Sequence, residues 1–172
     1  MADCAIRPAS ADDAQAIAAI YAWHVANGTG TFDIEAPKAA AWAGKIADFA
    51  AKGWPFLVAE GEGAVLGYAY AARFRDRAAY ARTCEDSIYI AHEARGQGIG
   101  TVLLAALITA ARTAGFEQMI AVVGGGEPAS VALHAKCGFA HAGRLARVGH
   151  KFGRVLDTVY MQCDLTLGRD DP

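Results

Sequence analysis

Residues 87–101 constrain this chain more than any other stretch. Ser87-Ile88-Tyr89-Ile90 is a β-branched and aromatic run, Ala91-His92-Glu93-Ala94-Arg95 is short and polar, and Gly96-Gln97-Gly98-Ile99-Gly100-Thr101 is a glycine-rich turn. Beyond the turn, Ile99, Val102, Leu103, Ala106, Leu107 and Ala110 recur at helical spacing, which predicts a long helix over 98–114 capped by Gly115. A strand that feeds a helix through a glycine turn belongs to a layered fold, with helices covering a sheet. The same order aims backbone N–H groups at an anion such as a phosphate.

The remaining pattern extends that layering. Ala5-Ile6-Arg7 reads as a short first strand. Ser10 precedes Asp12 and Asp13 as an N-cap with acids in the first turn, and Ile17, Ile20, Tyr21 and His24 predict a helix to about Asn27, stopped by Gly28. A loop follows over 28–37. Its Thr31-Phe32 pair either roofs a pocket or anchors the loop in the core. Trp42, Ile46 and Phe49 share one face of a second predicted helix over 38–52, ended by Gly53. Residues 55–60 and 64–74 around Gly61-Glu62-Gly63 read as a hairpin. Further strands are expected over 85–90, 118–123, from Phe139 onward, and over 155–165, with a shorter helix over 127–137. The expected class is α/β (α+β): one mixed sheet of about six to seven strands flanked by about four helices, in a single domain over 1–172.

The chain has 172 residues and a formal charge of −2, and 54% of it is apolar. That suits one globular domain and offers no broad basic patch for a nucleic-acid backbone. Its four cysteines, Cys4, Cys84, Cys137 and Cys163, show no CxxC spacing, so neither a zinc site nor a redox dithiol is expected. No apolar run has the length of a membrane span, and no leader pattern opens the chain, so a cytoplasmic location is expected.

The glycine turn has three readings beside a plain βα turn that binds nothing. A P-loop requires a lysine after the glycines, and none is present. Dinucleotide folds require G-x-G-x-x-G, whereas Gly96-x-Gly98-x-Gly100 is one residue short. The pyrophosphate of coenzyme A requires clustered N–H groups, close backbone approach and a nearby arginine; residues 95–100 supply all three.

Arg95-x-x-Gly98-x-Gly100, after a strand and opening a long helix, resembles the Q/R-x-x-G-x-G/A signature of the GNAT superfamily of N-acetyltransferases. Further stretches are similar to its phosphinothricin and methionine sulfoximine acetyltransferases: Ile6-Arg7-Pro8-Ala9, Gly67-Tyr68-Ala69-Tyr70-Ala71, Ala79-Tyr80, Thr83-Cys84-Glu85, Ser130-Val131 with His134, and Gly149-His150-Lys151 with Asp157. The resemblance implies the GNAT fold and acetyl-CoA as co-substrate, with no metal. It implies transfer of the acetyl group to the α-amine of a small amino-acid analogue by direct attack on the thioester. It also implies a homodimer. Acetylation of a protein N-terminus or polyamine, and a non-catalytic acyl-CoA-binding module, are the alternatives.

By the same resemblance, the backbone of Ile88, Tyr89 and Ile90 would pair with pantetheine. Arg95, Gly96, Gln97, Gly98, Ile99, Gly100 and Thr101 would hold the pyrophosphate, with Ser130 beside the cofactor. Glu85 would be the general base, through a water, and His134 the acid for the departing thiolate, with Tyr89 and Tyr160 as other donors. Arg73, Arg75 and Arg77 alternate; in a strand they would form one row of guanidinium forks suited to a carboxylate and a second acidic oxygen. Their alternative is a solvated basic edge. Tyr80 and Phe32 would complete the substrate pocket, and Lys151 would reach it, from this chain or a partner subunit. Three departures from the family pattern bear on specificity: Glu127 in place of an asparagine, Val155-Leu156 in place of a tryptophan–histidine pair, and Arg73 in place of a proline.

Overall fold

The structure is a computed structural model and describes residues 4–167. Seven strands form one sheet: β1 (Ala5–Pro8), β2 (Phe56–Gly61), β3 (Ala64–Arg73), β4 (Thr83–Ile90), β5 (Gln118–Gly124), β6 (Ala140–Lys151) and β7 (Arg154–Asp164). Their order is β1-β2-β3-β4-β5-β7-β6. Only β4 and β5 pair in parallel, and the connection between them is a helical crossover. The helices are α1 (Ala14–Asn27), α2 (Ala39–Lys52), α3 (Ile99–Thr113) and α4 (Pro128–Lys136). The mixed sheet and four helices agree with the expected class.

Strand alternation divides the core in two. Val58, Tyr68 and Phe56 face α1 and α2, meeting Ile17, Trp42 and Phe49. Leu57, Ala69, Ala71 and Cys84 face α3, meeting Leu103, Leu104 and Leu107, all three fully buried. Gly67 is demanded by close approach: a Cβ there would lie 2.9 Å from the Tyr89 carbonyl oxygen. The start of α1 is fixed by Asp13, whose carboxylate accepts from the Ser10 N–H at 2.8 Å and from both Arg7 Nη atoms at 2.8 Å.

The hairpin strand β3 stops at Arg73, and residues 74–77 bend away. The expected strand row of arginines is therefore corrected. A strand would have set Arg73 and Arg75 on the α3 face with Cys84, the Arg73 partner in β4. The bend carries Arg75 instead to Glu85, on the other face.

Candidate functional site

The parallel pairing of β4 and β5 ends at Asp86 and Ala121. From there β4 continues beside β3, and β5 beside β7, so the sheet forks. The Thr83 carbonyl accepts from Phe74, and the Ala91 N–H donates to Leu66. Odd-numbered residues of β4 thus bond towards β3, and the backbone groups of Ile88 and Ile90 look into the fork. The Ile90 carbonyl accepts from His24 Nε2 at 2.9 Å. Ile88 keeps an open edge that an amide-bearing chain could extend.

The glycine turn closes one end of the fork. Gly96 and Gly98 adopt φ of 76° and 84°, the left-handed region that glycine favours. Thr101 and Val102 donate back to the Gly98 carbonyl at 3.1 and 3.4 Å, so the N–H groups ahead of them project from the α3 end. At Gly100 a Cβ would lie 3.2 Å from Leu133, narrowing the approach between α3 and α4. Arg95 lies over the Trp23 ring at 5.7 Å, and Trp23 stacks on His92 at 4.2 Å. Fork and turn together bound a cavity of about 690 Å³. The open strand edge, the projecting N–H groups and the neighbouring guanidinium fit a pantetheine pyrophosphate.

Most of the sequence-predicted site residues meet at this cavity. Glu85, Ile88, Tyr89, Ile90, Arg95, Gly96, Gly98, Ile99, Gly100, Thr101, Ser130, His134 and Phe32 line it, as does Glu127. Gln97 does not; its amide donates to the Glu93 carbonyl at 3.1 Å. Phe32 does both things that its sequence left open. It lines the cavity, and its ring packs where a Cβ at Gly149 would collide with it. The loop carrying it lies directly on the end of β5, since a Cβ at Gly124 would come within 2.9 Å of the Thr29 and Gly30 carbonyls.

Glu85 is half-buried, with Oε2 at 3.6 Å from Arg75 Nη1. Burial pushes its carboxyl up from the ordinary carboxylate range; Arg75 opposes this and neighbouring Asp86 adds to it. Arg75 also donates to the Phe74 carbonyl at 2.7 Å and lies over the Phe74 ring. Arg73, Arg77 and Tyr80 are exposed beside it, outside the cavity wall, and Tyr80 meets Phe74 edge-on at 5.6 Å. Lys151 is also off the cavity wall: it is buried, and Nζ donates to the Thr31 carbonyl at 2.9 Å. Tyr160 is likewise off that wall.

His134 is buried, with Nδ1 donating to the Ser130 carbonyl at 2.7 Å and Nε2 at 3.0 Å from Asp86 Oδ2. Burial alone would lower its pKa, but the hydrogen bond and charge of Asp86, with the Ser130 carbonyl, raise it overall. Asp86, His24 and Trp23 also line the cavity and were missed in the sequence. For Asp86 a signal existed. Adjacent acids in a strand point to opposite faces, so one of Glu85 and Asp86 had to enter the α3 side of the sheet. Among the described residues no group of three His, Cys, Asp or Glu is placed to hold a metal ion.

Comparison with known proteins agrees with this geometry. The family model described as "Acetyltransferase (GNAT) family" matches residues 17–139. A phosphinothricin N-acetyltransferase of Alcaligenes faecalis is 48% identical over 166 residues, covering 96% of this chain and 84% of that protein. An L-methionine sulfoximine/L-methionine sulfone acetyltransferase of Pseudomonas aeruginosa is 38% identical over 171 residues, covering 97% and 98%. The crystal structure of a phosphinothricin acetyltransferase from Sinorhizobium meliloti in complex with acetyl-CoA superimposes with a TM-score of 0.92 at 44% identity, covering 98% of this chain and 92% of that one. The forked sheet, the glycine turn and relatives that span nearly its full length place the chain in the GNAT acetyltransferase family.

Proposed function

We propose that this enzyme uses acetyl-CoA to acetylate the α-amine of a small amino-acid analogue of the phosphinothricin, methionine sulfoximine or methionine sulfone type. The observation that carries the reading is the placement of Glu85 on the wall of the same cavity as the glycine turn, with Arg75 reaching Glu85 at 3.6 Å from outside that wall. A proton acceptor and a cation for an acidic substrate thus border the place where the thioester would be held. Relatives that act on such compounds support this choice.

Acetyl-CoA supplies an activated acyl group. Ile88 offers its backbone edge to pantetheine, and the N–H groups of residues 96–100 with Arg95 take the pyrophosphate. Ser130, in the first turn of α4, borders the cofactor. Glu85 accepts a proton from the substrate ammonium through a water, freeing the lone pair for attack. Arg75 binds the substrate's acidic oxygens, with Arg73, Arg77 and Tyr80 around the same mouth. Phe32 roofs the amine, and Lys151 fixes the loop that carries it. His134 donates to the departing sulfur.

The protein works as a homodimer in the cytoplasm and gives resistance to its toxic substrates. Leu145, Val148, Phe152 and Val155 leave an exposed apolar strip on the β6–β7 hairpin, which supports a second copy there. No helix among the described residues is long and apolar enough to cross a membrane.

Thiol release from acetyl-CoA, measured in parallel with phosphinothricin, methionine sulfoximine, methionine sulfone, spermidine and a peptide, tests the substrate class. Turnover is expected with the first three. Turnover with spermidine or peptide alone, or none despite cofactor binding, would overturn the reading.

A further inference from the structure

Six polar or charged residues are buried among the described residues: Asp13, Thr31, Asp86, His134, Lys151 and Thr158. Five of them are held by side-chain hydrogen bonds inside the protein. Asp13 pairs with Arg7, Thr31 with Tyr21, and Asp86 with His134, while Lys151 donates to the Thr31 carbonyl. The sixth, Thr158, is 6% exposed, and its hydroxyl bonds to no described residue. Its oxygen is not sealed in as Tyr68 Oη and Trp42 Nε1 are; Thr158 lines the cavity. A buried hydroxyl without a partner costs free energy that a methyl in its place would not. The partner for this one comes from what enters the cavity.

Its place in the sheet says which part of an acceptor it meets. Thr158 stands opposite Gly124 in the β5–β7 ladder. Val123, Met161 and Cys163 alternate onto the α3 side, so Gly124 and Thr158 share the other face, which is also that of Glu85. Gly124 has no side chain to stand between Thr158 and the fork. Phe32 roofs this spot, since a Cβ at Gly124 would lie 3.1 Å from its ring. The hydroxyl is thus one strand, about 4.8 Å, beyond the β5 lip of the fork. Glu85 and Arg75 are on the β4 side.

We propose that Thr158 determines specificity: its hydroxyl donates to an oxygen on the sulfur or phosphorus of the acceptor, while Arg75 takes the carboxylate. In the acceptors named above, the carboxylate shares a carbon with the amine, and the sulfur or phosphorus lies two methylenes further on. An amine held beside Glu85 therefore leaves the carboxylate on the β4 side and sends the oxidised head across β5. The carboxylate is charged and suits a guanidinium. Sulfone oxygens are neutral and suit an O–H that brings no charge, and a phosphinate oxygen accepts the same bond. Lys151, the cation that fastens the Phe32 loop, is committed to the Thr31 carbonyl and lies off the cavity wall. This assignment rests on the acetyltransferase reading and deepens it. It names the group that tells an oxidised head from the bare thioether of methionine, which offers no such oxygen.

Thr158→Val replaces the hydroxyl by a methyl of the same shape, and Thr158→Ser keeps it. Calorimetry on enzyme loaded with coenzyme A reads acceptor binding without turnover, and thiol release reads kcat/KM. For methionine sulfone, both affinity and kcat/KM are expected to fall about tenfold in Thr158→Val and to stay within about threefold of wild type in Thr158→Ser. For methionine, measured alongside, Thr158→Val should change either by less than about twofold. The KM for acetyl-CoA should not move. The urea midpoint of Thr158→Val should be no lower than that of the wild type, because the lost hydroxyl has no partner in the fold. An unchanged sulfone, an equal loss for methionine and sulfone, or a lowered midpoint overturns the assignment. Thr158-dependent sulfone binding without turnover would count against the acetyltransferase reading alone. Sulfone turnover indifferent to Thr158 would count against this assignment alone. A wild type that binds neither the sulfone, the sulfoximine nor phosphinothricin overturns both.

Discussion

Replacing Glu85 with Gln keeps the size and dipole of the side chain and removes its proton-accepting charge. Removal of a positioned general base costs about 10²–10⁴-fold, so with the proposed roles kcat should fall by that factor while acetyl-CoA affinity, assigned to Ile88 and the glycine turn, stays near its wild-type value. The pH profile is the finer measurement. Glu85 must be ionised to act, so kcat/KM rises with pH through its pKa, and burial places that limb above the ordinary carboxylate range. Arg75 holds the limb down. Two unit charges at 3.6 Å attract by about 1 kcal/mol in bulk water, and measured exposed pairs give about 0.2–1 kcal/mol. At ~1.36 kcal/mol per pKa unit, Arg75→Ala should move the acidic limb up by about 0.1–0.7 pH units. Arg75→Ala also weakens substrate binding, which lowers kcat/KM at every pH without moving the limb. Stopped assays of thiol release between pH 5 and 9 resolve both effects. A Glu85→Gln enzyme within threefold of wild type at saturating substrate would remove the base from Glu85. An acidic limb that moves down in Arg75→Ala would refute the electrostatic argument.

Two further expectations concern the frame of the site. Gly67→Ala drives a Cβ to 2.9 Å from the Tyr89 carbonyl and 2.7 Å from Ile90; it should cost about 1–3 kcal/mol in urea unfolding and weaken acetyl-CoA binding by calorimetry, because β4 must shift. Asp13→Asn breaks the paired bonds to Arg7, for a loss of about 1.5–3 kcal/mol. Arg7 holds the Asp13 carboxyl below its ordinary value against burial, so its contribution is present above about pH 4 and vanishes as pH falls through the folded pKa. Unfolding of the variant should lack that acid-dependent component.

What the chain could say alone was local. Glycines at 96, 98 and 100, a β-branched run before them and an apolar stripe after them specify strand, turn and helix within about twenty residues, because φ freedom and side-chain period act over short distances. Gly53 ends α2 for the same reason, with a φ of 67°. That Glu85 borders the same cavity could be read from its place relative to that turn. Tertiary structure decided what depends on contacts between distant segments. β4 and β5 part after Asp86 and Ala121, while β4 goes on pairing with β3 and β5 with β7, a divergence that no residue in β4 encodes. The bend after Arg73 replaced a strand row with a single guanidinium at Glu85, and Lys151, 120 positions from Thr31, became a loop fastener. Asp86 and His134 are separated by 48 positions. Neither is unusual in its own sequence, and only packing α4 against the fork removes them from water and makes each the other's compensating charge.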